Sequence, residues 1–141
     1  MSNARGQRIA DCTKSDANTR LRQSRKFLEV AQLVETEADT LETSASVAAS
    51  LAVLAGIAAS DAACCAALRM RSRAQDHKAA VDLVRQIEPG GRVAAGKLDR
   101  LLDLKDSAQY GVISLSTADL KVAMRNAAAL VEFASEVMRR G

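Results

Sequence analysis

The stretch at residues 46–70, SVAASLAVLAGIAASDAACCAALRM, decides the fold. Ala and Ser dominate it, its apolar residues fall on every side of a helical wheel, and Asp61 is its only acid. A helix that is apolar nearly all round is one enclosed by neighbours, so it belongs at the centre of a bundle. Its small side chains let those neighbours approach closely. Thr43 to Ser60 is uncharged over 18 residues, near the lower length limit for a membrane span. Its Ala-Ser composition and the charge that follows at Asp61 assign it to a bundle centre instead. No signal-peptide pattern precedes it. The expectation is a cytoplasmic protein with no membrane partner.

Four further helices are predicted around this one. The first spans about 18–40, with Phe27, Ala31, Val34, Ala38 and Leu41 spaced 4-3-4-3 along one apolar face. Residues 42–46 read as a break rich in candidate N-caps. A short third helix, about 75–87, carries Ala80, Val84 and Ile87 on its inner stripe, and Glu88-Pro89-Gly90-Gly91 stops it. A fourth spans about 93–109 and closes at Gly111. Ser116-Thr117-Ala118-Asp119 resembles a capping box that opens the fifth. That helix runs to about Arg139 with Leu120, Met124, Ala127, Val131, Ala134 and Met138 in heptad-like register.

Composition agrees. Of the 141 residues 48% are apolar but only 2% aromatic, 28 are Ala and one is Pro, which excludes a stable β-sandwich or barrel and favours helices. The fold class expected is therefore all-α: a single five-helix, up-and-down bundle at 18–141 behind a flexible basic arm at 1–17. Residues 1–26 hold seven Lys or Arg against Asp11 and Asp16, a net +5, while the remainder is slightly acidic. Such an arm attracts phosphates, and a DNA-binding arm is one function class it suggests. No recognition-helix pattern accompanies it.

The three cysteines, Cys12, Cys64 and Cys65, are odd in number, and two are adjacent. Adjacent helical residues point about 100° apart, which suits neither a bridge nor a shared metal. Reduced, packed thiols are expected. With a single His no zinc-ligand spacing exists, so neither metal nor cofactor is predicted.

Chemistry concentrates at one junction. Arg69, Arg71, Arg73, His77 and Lys78 form the densest cationic cluster of the bundle, interrupted by Asp76. His77 opens the third helix on the inner stripe of Ala80, Val84 and Ile87. The positive end of the helix dipole disfavours its protonated form and suits it to act as a base. Arg71, Arg69, Arg73 and Lys78 supply donors for a phosphate. Asp61 and Lys105 both fall on apolar faces and need partners, an Asp61–Lys105 or Asp61–Arg contact satisfying them. Tyr110 follows the same helix as Lys105 and can join that polar patch. A structural ion pair and a catalytic one are both open at this point, as is a plain Arg-rich surface turn with an Asp-His cap.

Two segments carry a family resemblance. Ala52 to His77, ending AALRMRSRAQDH, and Leu101 to Gly111, LLDLKDSAQYG, followed by Ser116 and an alanine-rich last helix, together look like the HEPN superfamily (higher eukaryotes and prokaryotes nucleotide-binding). The likeness spans about 20–140. It implies an all-α bundle, usually a homodimer, with many members acting as metal-independent endoribonucleases through an Arg-x(4–6)-His motif. Arg71 and His77, with five residues between them, fit that motif. The resemblance thus implies an RNA- or nucleotide-binding protein, as a ribonuclease of toxin or defence type with an antitoxin or nucleotidyltransferase partner. The competing expectation is a non-catalytic helical module that pairs with a nucleotidyltransferase or another protein.

Overall fold

The computed structural model describes residues 9–37, 42–73, 77–109 and 115–140. Five helices carry the fold: α1 Lys14–Glu35, α2 Glu42–Leu68, α3 His77–Arg85, α4 Gly91–Gln109 and α5 Thr117–Arg140. Ala52, Val53, Ala55, Ala58, Ala62 and Ala63 of α2 are fully buried, as an enclosed helix requires. α2 is the one described helix long and apolar enough to cross a membrane, and 67% of its most apolar window is buried within the bundle.

Small residues set the spacing. A Cβ on Gly56 would meet Leu101 of α4 and Leu130 of α5, so both helices approach α2 where it lacks a side chain. Cys65 of α2 clusters with Met138 of α5, and with Gly56 near Leu130 this makes the two helices parallel. α1 runs antiparallel to α2, since its first turns meet the last turns of α2. The expected stripe of α5 is buried at Leu120, Met124, Ala127, Val131 and Ala134 and half-buried at Met138. Ser116 begins that helix as expected, its hydroxyl accepting the Asp119 N–H at 3.0 Å.

The N-terminal segment departs from the expected arm. α1 begins at Lys14 because Thr13 and Asp16 form a capping box: the Thr13 hydroxyl accepts the Asp16 N–H at 3.1 Å, and the Asp16 carboxylate accepts the Thr13 N–H at 2.9 Å. Before it, β1 (Ile9–Asp11) pairs antiparallel with β2 (Met70–Ser72), placing Ile9 opposite Ser72 and Ala10 opposite Arg71. Residues 9–17 are thus part of the fold, and residues 1–8 lie outside the described residues. The break expected at 42–46 is instead the first turn of α2.

The cysteine expectation is corrected. Cys12 and Cys65 form a disulfide, their Cα atoms 5.4 Å apart, and Cys64 is the free, buried thiol. Helical spacing correctly forbids a Cys64–Cys65 bridge. The partner comes from 53 residues away, delivered when β1 folds back on the end of α2.

Candidate functional site

Six elements converge on a cavity of about 520 Å³. α1 contributes Asp16, Thr19, Arg20 and Gln23, spaced i, i+3, i+4, i+7 on one helix face. α2 contributes Ile57 and Asp61, one turn apart. The strand pair adds Asp11 from β1 with Arg71 and Ser72 from β2. α3 adds His77 and Ala80, and α4 adds Leu98 and Leu102. One side is therefore polar and charged, while Ile57, Ala80, Leu98 and Leu102 make the other side apolar.

Asp61 anchors the polar side. Its Oδ2 accepts a hydrogen bond from Arg20 Nε at 3.0 Å and forms an ion pair with Nη2 of the same guanidinium, also at 3.0 Å, while Arg20 Nη1 donates to Gln23 Oε1 at 2.6 Å. All three guanidinium nitrogens are thereby engaged. Burial raises the Asp61 carboxyl above its ordinary value and outweighs the opposing attraction and hydrogen bond of Arg20 and the weaker field of Arg71. Burial, reinforced by the Asp61 carboxylate one turn away, pushes the Cys64 thiol up, so that thiol stays protonated.

Arg71 is committed differently. Among the described residues its side chain has one hydrogen bond, to the Ser72 carbonyl at 3.5 Å, the limit of a useful geometry. Half-buried on the central residue of β2, it keeps donors for an anion entering the cavity. His77 is half-buried at the first residue of α3, with Ala80, Val84 and Ile87 buried along its stripe as expected. Asp16 is held by its cap, so its carboxylate is partly satisfied.

The structure thus brings Asp61, Arg71 and His77 to one cavity. Arg69, Arg73 and Lys78 are exposed and do not line it. Arg69 occupies the left-handed region at φ 59°, closing α2 with its N–H on the Cys65 carbonyl while its own carbonyl accepts the Cys12 N–H. Lys105 is half-buried on α4 away from the cavity, so the partner of Asp61 is an arginine, one of the two contacts expected. Asp76 and Tyr110 lie outside the described residues.

Sequence reasoning missed Arg20, Thr19 and Gln23, because Arg20 counted towards a basic arm. The available signal is the polar stripe Asp16-Thr19-Arg20-Gln23 flanking the buried Ala17, Leu21 and Ser24 of the same helix.

No protein-family model matches the chain, and no curated protein matches it.

Proposed function

We propose that the protein is a HEPN-like RNA-binding protein that cleaves RNA at Arg71 and His77 without a metal, as a homodimer of toxin or defence type. The observation that carries this reading is the shared cavity: the motif arginine on β2 and the motif histidine on α3 line one space, beside a carboxylate already balanced by Arg20. Arg71 would donate to the scissile phosphate and stabilise the charge that grows on it. His77 would take the proton of the attacking ribose 2′-hydroxyl or protonate the leaving oxygen, giving a 2′,3′-cyclic phosphate. Arg69, Arg73 and Lys78, exposed around the mouth of this segment, would hold the flanking phosphates. The second subunit, an antitoxin or nucleotidyltransferase partner and a cytoplasmic setting belong to the same reading. In that compartment a disulfide is usually transient and redox-responsive rather than permanent.

The test is incubation of structured RNA with the pure protein in EDTA, beside His77→Ala and Arg71→Ala. Cleavage by the wild type that falls by about 10²-fold or more in His77→Ala is expected. Equal cleavage by all three proteins, or none by any, overturns it.

A further inference from the structure

Of the two strands that form one wall of the cavity, β2 continues from α2 and packs against α2 and α3, whereas β1 is tied to the bundle chiefly by its pairing with β2, the packing of Ile9 on the core and the Cys12–Cys65 bond. β1 and β2 are three residues each, Asp11 is exposed, and Ile9 and Ala10 are only half-buried. A two-stranded pair of this size is marginal in water. Among the described residues, one backbone bond joins the two segments beyond the strand ladder, Cys12 N–H to the Arg69 carbonyl at 3.0 Å, and that carbonyl belongs to a residue in the left-handed region. By contrast α1 has its own attachments to the bundle, through Arg20 on Asp61, Arg25 on Ser135 and the buried Ala17, Leu21 and Ala31.

We propose that the Cys12–Cys65 disulfide is a redox latch: its reduction releases the Ile9–Asp11 strand from β2, and with it the Asp11 side of the cavity wall and the strand partner of Arg71 and Ser72. The inference rests on the disulfide and the strand pair and is independent of the RNA reading. The reductant is a dithiol. One of its thiolates attacks Cys12, the less buried of the two residues, and Cys65 leaves as a thiolate that takes a proton. The second dithiol sulfur then displaces Cys12, so the dithiol departs as a disulfide and two electrons and two protons have passed to the protein. Cys64, beside Cys65 but buried and protonated, does not compete for the bond, so reoxidation returns the same pair.

The experiment compares the full chain in air-oxidised form and after dithiol treatment by thiol counting in denaturant and by amide hydrogen exchange. The oxidised chain should present one free thiol, Cys64, and the treated chain all three cysteines. Amides of 9–12 and 69–72 should exchange at least about tenfold faster after reduction while those of α2 and α4 keep their protection. Reoxidation should restore the slow rate, and Cys64→Ser should behave as wild type. Three free thiols in the oxidised chain, unchanged exchange of the strand pair, or loss of protection throughout the bundle would each overturn the latch. Because wild-type protein is used in both states, the outcome does not depend on a Cys12 variant folding.

Discussion

Arg20 and Asp61, 41 residues apart in sequence, meet through a single carboxylate oxygen that accepts a hydrogen bond from Nε and pairs with the charge on Nη2, each at 3.0 Å. The contact joins the second turn of α1 to the last third of α2 and forms the polar wall of the cavity. With Asp61 buried and Arg20 partly so, the pair is held in place by what happens when half of it is lost. Arg20→Met should cost about 3 kcal/mol, because it strands a buried carboxylate. The double variant Arg20→Met/Asp61→Leu should recover most of that loss, since no buried charge remains. Urea denaturation of the three proteins measures it, and an equal loss in single and double variants would refute the account.

The pH dependence has a definite sign. Burial raises the Asp61 carboxyl above its ordinary value of 3.8, so the folded chain holds that proton more tightly than the unfolded one. Its contribution to stability is therefore fully present below that value and is lost as pH rises through the folded pKa. The unfolding free energy of the wild type minus that of Asp61→Asn should fall as pH rises above the ordinary carboxyl value of 3.8. A difference that grows with pH would show the opposite shift.

Three small substitutions should separate in direction. Ser60 Oγ is buried on α2 with no partner among the described residues, so Ser60→Ala should stabilise by about 1 kcal/mol. Gly96 is exposed on α4 with open space around its Cα, so Gly96→Ala should gain about 1 kcal/mol from helix propensity. Gly91 opens the same helix, but a Cβ there would strike the backbone carbonyl of Val84, which cannot swing aside. Gly91→Ala should lose about 2 kcal/mol, as overpacking does. Thermal melts of the three variants give the signs directly.

Arg69 offers a test of whether its side chain serves binding. Its φ of 59° would suit glycine, so Arg69→Gly should leave stability unchanged or raise it by about 0.5 kcal/mol. If Arg69 contacts a phosphate, the same change should weaken RNA binding and lower the magnitude of the salt slope by about 1. An unaltered slope would remove Arg69 from the interface.

The helices were legible because their signals are local. The all-round apolar pattern of 46–70 can be satisfied only by enclosure, and the stripes of α3 and α5 follow one period along one element. Ser116 and Asp119 are three residues apart and decide their cap alone. Asp61 was recognisable as a buried charge in need of a partner because its neighbours on the wheel are Ala and Cys. The cationic cluster from Arg69 to Lys78 was recognisable because it fills one short connection, while the pairing of Arg71 with His77 came only from the motif that the family resemblance implies.

What the sequence by itself determined is thus the helical class, the central place of α2 and the Arg-His junction. Only the tertiary structure decided that Arg20, rather than Lys105, meets Asp61, that Cys12 bonds Cys65, and that residues 9–11 are a strand. Each of these joins segments 41 to 60 or so residues apart. Periodicity constrains which face of a helix is buried, but it carries no information about which distant polar group arrives at that face. The antiparallel passage of α1 over α2 supplies that information, and it turns a basic terminal segment into one wall of a cavity.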